Sequence, residues 1–256
     1  MSPIEPQRRH FIVRILAAGA ALLLSGCDRL TDTTWLPRLL SGGERMSRAA
    51  QHLVTPSNSM AQEFSEADLS PAFRSNGTAN PDNPQYQALA ATGFAAYRLA
   101  VSGLVERPAS LSLAELRQLP SRTQITRHDC VEGWSAIGKW KGAKLSALLE
   151  QVRPQAAAHY VVFYCADPMD EQGTAYYESI DLEDAFHPQT LLAYELNDRA
   201  LPIANGAPIR LRVERQLGYK MAKYVMRIEL VESFRRIGGG KGGYWEDLGY
   251  EWHAGI

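Results

Sequence analysis

One cysteine of the chain lies among charged and aromatic residues that could give its sulfur a chemical role. Cys130 belongs to the segment 127–134, which reads RHDCVEGW, and the whole chain has 3 cysteines. A thiolate in such a setting acts as a soft metal ligand or as a nucleophile. His128 precedes Cys130 by two positions, which share a face on a strand, so a cysteine hydrolase is one alternative.

Two later segments concentrate positive charge and glycine. Residues 201–211 read LPIANGAPIRL, and they place Asn205 in a turn before a strand that begins at Arg210. Residues 216–224 read QLGYKMAKY and include Lys223. Glycine lets backbone approach a ligand closely, and arginine and lysine beside it suit a phosphate or another anion. The charges alone fit a solvated basic hairpin as well.

Several common chemistries lack their motifs in this chain. The sequence contains no GxGxxG after a strand, no P-loop, no CxxC or HxxxH zinc pair and no GxSxG elbow. The glycine-rich stretch 238–243 lacks the Walker spacing and indicates a flexible loop. A net charge of −1 gives no general attraction to nucleic acid.

The three segments in this order resemble the sulfite oxidase-like molybdopterin oxidoreductases. The shared pattern is Cys-Val-x-Gly-Trp, then Leu-Pro-x-x-Asn-Gly-x-Pro-Ile-Arg, then Gly-Tyr-Lys-x-x-Lys. Over about residues 55–235 the chain is most similar to the periplasmic protein-methionine-sulfoxide reductases and their uncharacterised bacterial relatives. The resemblance implies a single compact α+β domain with mixed β-sheets and short helices, which binds a molybdenum–molybdopterin cofactor.

The resemblance also implies roles for individual residues. Cys130 is the expected molybdenum ligand, because a soft sulfur suits such a metal centre. The further expected cofactor-binding residues are Asn58, Cys165, Asn205, Arg210, Met221, Ala222 and Lys223. Cys165 stands where closer relatives carry threonine, so both cofactor contact and simple space filling remain open for it. Arg127, His128 and Tyr177 are candidate catalytic residues of the substrate pocket through their proximity.

The first 27 residues predict an export signal. A twin-arginine pair, Arg8 and Arg9, precedes an apolar run at 15–24 that is shorter than the ~20 residues of a membrane span. The following LSGC resembles a lipobox, which predicts lipidation of Cys27 and a lipid anchor on the periplasmic side of the inner membrane. An uncleaved N-terminal anchor is the alternative. Residues 28–55 then form a tether and residues 56–256 the molybdopterin-binding domain.

Patterns along the domain predict its regular elements. Apolar alternation and β-branched runs favour strands at 97–103, 124–128, 159–165, 191–196, 209–213 and 224–232. Helical spacing and capping residues favour helices at 112–118, 145–152 and 181–185. Without a regular βαβ rhythm, the mixture indicates an α+β fold. Residues 56–88, rich in proline and asparagine, predict a long loop.

These features together predict an oxygen-atom-transfer enzyme. The expected reaction is reduction of S-oxides or N-oxides, with methionine sulfoxide as a candidate substrate. A sulfite-oxidising enzyme of the same family and a non-catalytic lipoprotein are the alternatives. The chain has no CxxCH haem-attachment motif, so electrons are expected from a separate partner, a membrane haem or quinone-linked protein. Outside its signal, the chain retains Cys130 and Cys165, for which a disulfide is the structural alternative.

Overall fold

A computed structural model describes residues 59–256 of the chain. Its strands are β1 (Arg98–Gly103), β2 (Ala109–Ser112), β3 (Ser121–Cys130), β4 (Trp134–Lys144), β5 (Tyr160–Pro168), β6 (Ala175–Asp181), β7 (Leu191–Leu196), β8 (Arg199–Ala200), β9 (Arg210–Arg212) and β10 (Val225–Val231). Its helices are α1 (Pro84–Ala91), α2 (Leu113–Gln118), α3 (Leu145–Val152), α4 (Leu182–Phe186) and α5 (Tyr244–Asp247). Strands and short helices mix without a doubly wound order, which confirms the predicted α+β class.

The first sheet has five strands in the order β2-β1-β10-β5-β6. β1 and β10 run parallel, and the other neighbours run antiparallel. Val161, Val162 and Phe163 of β5 are all fully buried. A strand buried on both faces reads as a continuous apolar run rather than an alternating one. The sequence of β5 therefore suits its position between β10 and β6.

The second sheet is antiparallel and carries Cys130 at the end of its longest hairpin. β3, β4, β7 and β8 follow one another, and β9 also pairs with β7. The register of β3 on β4 runs from Ser121↔Ala143 to Cys130↔Trp134. The three-residue turn between them needs the left-handed Gly133, whose φ is +83°. The hairpin thus places Cys130 at one edge of the sheet.

The hydrophobic core receives side chains from both sheets and from α3. Leu145, Leu148, Leu149 and Val152 of α3 are fully buried, as their helical spacing predicts. Burying each of these side chains contributes roughly 2 kcal/mol to the free energy of unfolding. The core thereby fixes the two sheets whose ends carry the site.

The capping box predicted before α2 is present. Glu115 donates its backbone N–H to Ser112 Oγ over 3.2 Å, and Ser112 donates its own N–H to Glu115 Oε2 over 2.7 Å. Both bonds satisfy backbone groups that the helix itself leaves unpaired. The start of this helix is therefore set by local sequence.

The prediction of a loop over 56–88 is wrong at its end, because α1 begins at Pro84. Asn83 Oδ1 accepts from the backbone N–H groups of Gln85 and Tyr86, and proline at the first helical position suits the required φ. Between 59 and 83 the structure has one regular element, a 3₁₀ turn at Glu66–Asp68. No helix in the described part of the chain is long and apolar enough to cross a membrane.

Candidate functional site

A cavity of about 160 Å³ opens between elements of both sheets and the C-terminal segment. Cys130 reaches it from the end of β3, and Asp167 from the end of β5. Tyr176 of β6 forms another part of the wall. The remaining side chains that this site uses are Asn76, Glu132, Met169, Tyr219, Met221, Lys223, Trp245 and Tyr250. The cavity therefore brings together residues from distant parts of the sequence around one sulfur atom.

Cys130 is half-buried and free, with its sulfur in the cavity wall. Burial raises the pKa of its thiol, an effect that a hydrogen bond from the Glu132 backbone and the charges of Arg210 and Arg74 oppose by stabilising the thiolate. A metal ion binds the thiolate and displaces the proton, so a raised pKa is compatible with a ligand. A nucleophilic cysteine instead needs a lowered pKa or an adjacent base.

His128 supplies no such base to Cys130. Its ring is fully buried, and its Nδ1 lies 3.2 Å from Arg212 Nη1 and 3.2 Å from Met221 Sδ. Arginine can only donate, so Nδ1 accepts and the proton of the neutral ring lies on Nε2, which has no hydrogen-bond partner within residues 59–256. Burial, with the charges of Arg210, Arg212 and Lys223, holds the pKa of His128 well below its ordinary value. The geometry argues against the cysteine hydrolase alternative.

Arg212 is part of a buried network beneath the site. It donates to both carboxylate oxygens of Glu214, over 2.8 Å and 2.5 Å, and its guanidinium lies 4.4 Å from the Trp140 ring centroid. Gln124 donates to Glu214 as well, over 2.9 Å. A bidentate pair with fully buried partners gives a fixed geometry. The network holds His128, and through it Met221, against the cavity.

Arg210 and Lys223 form the cationic side of the site. Lys223 Nζ donates to the carbonyls of Asn76, over 2.6 Å, and of Thr78. Burial, followed by the nearby charge of Arg210, lowers the pKa of Lys223 to about 7. Gly206 has a φ of +111°, and a Cβ there would lie 3.0 Å from Lys223 Cβ and 3.2 Å from Arg210 Cβ. The glycine therefore lets the two cations approach each other.

Among the buried polar atoms that find no hydrogen-bond partner within the described residues, three belong to the cations or their neighbours. They are Arg210 Nε, Asn205 Nδ2 and Asp167 Oδ1. Buried polar groups are usually paired, so such atoms indicate a polar ligand. The guanidinium, ammonium and amide groups of this set can donate hydrogen bonds to a phosphate. The carboxylate can accept from the amino and ring N–H groups of a pterin. The sulfur of Cys130 suits the metal. These residues therefore fit a molybdenum–molybdopterin cofactor.

Sequence reasoning missed Asn76 and Asp167. Asn76 accepts from Arg210 Nη2 at 3.3 Å through its side chain and from Lys223 through its carbonyl. Asp167 is 5% exposed, and burial raises its pKa to about 6. Asn76 belongs to the loop rich in asparagine and proline. That composition was the one feature of the sequence that could have marked Asn76 as a functional residue. Nothing in the pattern around Asp167 distinguished it from an ordinary strand-end aspartate.

The backbone groups expected to hold the cofactor at Met221 and Ala222 take part in a tight turn. The N–H of Met221 donates to the Gly218 carbonyl over 3.1 Å, and that of Ala222 to the Lys220 carbonyl over 3.2 Å. Both residues belong to the hydrophobic core, and Met221 also lines the cavity. The turn delivers the side chain of Met221 to the cavity.

Three other predicted residues lie away from the cavity. Cys165 is a free thiol in the hydrophobic core, so it forms no disulfide with Cys130. The hydroxyl of Tyr177 donates to Asp247 in the C-terminal segment. Arg127 is exposed and pairs with Asp129 over 3.0 Å, beside a separate smaller pocket. The predicted Asn58 and Cys27 lie outside the described residues.

The fold and the donor set agree with a known family. Residues 86–236, more than half of the chain, match the model of the oxidoreductase molybdopterin binding domain. The chain therefore belongs to this family of molybdopterin-binding oxidoreductases, which confirms the resemblance predicted from sequence. The matched stretch includes Cys130, Asn205, Arg210 and Lys223.

Individual relatives extend the similarity along the chain. The chain is 37% identical over 250 residues to YedZ1 of Azospira oryzae, provisionally named a protein-methionine-sulfoxide reductase subunit, covering 98% of this chain and 88% of that protein. It is 31% identical over 238 residues to the protein-methionine-sulfoxide reductase catalytic subunit MsrP of Ralstonia nicotianae. This match covers 89% of this chain and 69% of that protein. A crystal structure of the sulfane dehydrogenase SoxCD from Paracoccus pantotrophus matches with a TM-score of 0.49 and 23% identity. The match covers 54% of this chain and 39% of the chain in that structure.

Proposed function

We propose that this oxidoreductase reduces S-oxides, with methionine sulfoxide as its substrate class. The observation that carries the proposal is the lining of the cavity around Cys130. The cavity has a wall of aromatic and thioether side chains, which are Tyr219, Trp245, Tyr250 and Met169. Such a wall suits a methyl-bearing sulfur group, because sulfur and methyl groups pack well against aromatic rings. The names of the relatives in Azospira and Ralstonia support the same substrate class.

The charges of the lining favour a neutral S-oxide over sulfite. Lys223 is the one cationic side chain among the described lining residues, and its contacts with Asn76 and Thr78 associate it with the cofactor side. Glu132 lies in the lining two residues from Cys130 and would repel a dianion. An S-oxide is dipolar but uncharged, so it avoids this repulsion.

The chain's own residues bind the cofactor and shape the substrate side. Cys130 would hold the molybdenum. The phosphate would be bound by Asn205, Arg210 and Lys223, and the pterin would be bound by Asp167. When bound, the cofactor supplies two-electron oxygen-atom transfer. The aromatic wall excludes water and orients the sulfur group, and the Arg212–Glu214 network keeps His128 neutral behind Met221. The protein thus contributes ligation, orientation and a partly dry cavity.

Electrons are supplied by a separate protein in this proposal. Both relatives are named as subunits of reductases, the one from Azospira provisionally, which supports a partner for this chain too. The twin-arginine and lipobox motifs support export and lipid anchoring at Cys27 on the periplasmic side of the inner membrane. A tether raises the effective concentration of a membrane haem or quinone-linked donor. Export in the folded state would suit a protein that already contains its cofactor.

The test of the proposal is a substrate panel with the matured, molybdenum-loaded protein and an artificial electron donor. Free and peptide-bound methionine sulfoxide, dimethyl sulfoxide, an N-oxide and, in the reverse direction, sulfite are compared by kcat/KM. We expect methionine sulfoxide to give the highest value. A higher kcat/KM for sulfite oxidation, or no turnover of any S-oxide, would overturn the proposal.

Cys130→Ser tests the metal ligand within the same proposal. Serine keeps the size of the side chain but removes the soft sulfur donor. We expect S-oxide reduction to fall by at least about a thousandfold, with the melting temperature of the cofactor-free protein unchanged, because a half-buried Cys–Ser exchange perturbs packing little. Elemental analysis, activity and thermal unfolding check the prediction. Wild-type activity in Cys130→Ser would show that this sulfur does not serve the reaction.

A further inference from the structure

Behind the cavity wall lies a buried cluster of two carboxyl groups and one ammonium group. Glu178 and Lys220 are fully buried and Glu246 is 1% exposed. Lys220 Nζ lies 2.5 Å from Glu178 Oε1 and 2.7 Å from Glu246 Oε1. Two ionised carboxylates would leave one uncompensated charge, and an isolated buried charge costs several kcal/mol. One of the two carboxyl groups therefore holds a proton.

The contacts of Tyr176 favour Glu178 as the protonated carboxyl group. Its hydroxyl oxygen lies 2.5 Å from the Tyr219 carbonyl and 3.3 Å from Glu178 Oε2. A hydroxyl has one proton, and a backbone carbonyl can only accept, so that proton goes to Tyr219. The Tyr176 hydroxyl then has no proton left for Glu178 Oε2, 3.3 Å away, so this contact is favourable when Glu178 Oε2 carries the proton.

The other contacts of Glu178 agree with this assignment. Its Oε1 accepts from Lys220 and, over 2.8 Å, from the backbone N–H of Ser179. An oxygen with two donors remains the unprotonated one of the carboxyl group, which leaves the proton to Oε2. Burial, with a smaller contribution from Glu246, raises the pKa of Glu178 well above its ordinary value, although Lys220 opposes the shift.

Tyr176 connects this proton to the cavity, because it lines the same cavity as Cys130. We propose that Glu178, acting through the hydroxyl of Tyr176, delivers one of the two protons that S-oxide reduction consumes. The inference rests on the proposed function. Among the other acids of the lining, Asp167 is assigned to the cofactor and Glu132 lies at the exposed turn after Cys130.

The proton transfer balances with the reaction as follows: R₂SO + 2e⁻ + 2H⁺ → R₂S + H₂O. The S–O bond breaks, the sulfur is reduced by two electrons from the separate donor protein, and the oxygen leaves as water. Tyr176 rotates its O–H from the Tyr219 carbonyl to the departing oxygen, and Glu178 Oε2–H replaces that proton on Tyr176. Solvent in the cavity supplies the second proton and later a further proton to Tyr176, through which the fully buried Glu178 is reprotonated.

Infrared spectroscopy tests the stored proton without relying on activity. At pH 8 Asp167, with a pKa of about 6, is ionised, so the C=O stretch of a protonated carboxyl group reports the cluster. We expect the loaded wild-type protein to show this band and Glu178→Gln to lack it. In Tyr176→Phe the band should shift to higher frequency, because the substitution removes the hydroxyl oxygen that accepts from the carboxyl group. Absence of the band, or a band that Tyr176→Phe leaves in place, would overturn the assignment to Glu178.

Single-turnover kinetics test the use of the proton. The reduced, loaded enzyme is mixed with methionine sulfoxide and its reoxidation is followed. We expect Glu178→Gln and Tyr176→Phe each to slow reoxidation by about a hundredfold, typical of a lost general acid, and the double variant to be no slower. Tyr164→Phe is the matched control. Tyr164 lies away from the cavity, where its hydroxyl donates to Glu229 at a distance of 2.9 Å. The reoxidation rate of this variant should be unchanged.

Each outcome separates this inference from the proposed function. Wild-type reoxidation rates in both Glu178→Gln and Tyr176→Phe would overturn the proton route while leaving S-oxide reduction intact. Failure of the wild-type enzyme to reduce any S-oxide would overturn the proposed function, and the infrared band would still test the buried proton. Molybdenum content and melting temperature, measured for every variant, identify any loss caused by misfolding.

Discussion

Asp167, to which we assign the pterin, would serve the cofactor at a cost to the stability of the fold. Its carboxyl group is buried, one of its oxygens has no partner, and burial raises its pKa from an ordinary 3.8 to about 6. The folded state therefore binds more protons than the unfolded state between these two pH values. The stability that this group contributes is complete at low pH and is lost as the pH rises to about 6.

Asp167→Asn should stabilise the cofactor-free protein and weaken cofactor binding. At pH 8 the substitution removes the cost of a buried carboxylate, so we expect the free energy of unfolding to rise by on the order of 3 kcal/mol. At pH 4 the two proteins should unfold alike. Molybdopterin content after maturation should fall, because asparagine offers a weaker acceptor to the pterin.

Urea unfolding at pH 4 and pH 8, with pterin content measured in parallel, checks both parts of this prediction. An equal pH dependence in wild type and Asp167→Asn would show that another group causes it. Unchanged pterin content would remove Asp167 from the cofactor side.

Residues in motifs could be predicted from sequence, whereas residues brought in by folding could not. Cys130, Arg210 and Lys223 stand in short patterns of glycine, proline and charge that carry their own meaning. Asp167 and Asn76 join the same site because the end of β5 and the loop before α1 meet the β9–β10 connection. Their roles depend on pairing between distant segments, which local patterns do not encode.

The elements show the same division between local and distant causes. The helix α2 follows from a capping box and α3 from apolar residues at helical spacing, so both were predicted within a residue or two. The strands β2, β4, β6 and β8 were missed. β4 contains glycines and lysines that weaken a strand pattern, and its place is fixed by pairing with β3 and β7.

The C-terminal segment forms a cavity wall outside the part of the chain that matches the family model. Trp245 of α5 and Tyr250 line the cavity, while the match ends at residue 236. Their rings meet edge to face at 5.4 Å, and Tyr250 stacks on Tyr219 at 5.3 Å. Glu246 anchors the helix through Lys220. A wall outside the shared domain is a natural place for substrate selection.

Trp245→Ala should raise KM for methionine sulfoxide by about tenfold while changing kcat less, because an aromatic contact contributes roughly 1–2 kcal/mol to binding. Leu248→Ala is the matched control: it lies in the same segment, is 66% exposed and is not part of the lining. Steady-state kinetics with free and peptide-bound methionine sulfoxide check the prediction. Equal KM values for Trp245→Ala and Leu248→Ala would show that the wall does not select the substrate.

At the scale of the whole molecule, the site and the N-terminal motifs lie in different parts of the chain and call for separate tests. The cavity, the cofactor residues assigned around it and the proposed proton store belong to residues 59–256, whereas Arg8, Arg9 and Cys27 lie outside the described residues. Activity with a soluble artificial donor depends only on the cavity. Activity with electrons from the membrane would depend on the anchor as well, because tethering raises the donor's effective concentration.

Cys27→Ser should therefore separate the two activities. We expect the variant to lose incorporation of labelled fatty acid and to leave the membrane fraction, to keep its turnover with the artificial donor, and to lose about tenfold or more of its membrane-supported turnover. Replacing Arg8 and Arg9 with lysine is the companion variant, because it should retain the protein in the cytoplasm. If Cys27→Ser stays on the membrane with its fatty-acid label, the anchor lies elsewhere. If it is released yet keeps full membrane-supported turnover, the electron donor binds the domain directly, and the tether does not serve electron transfer.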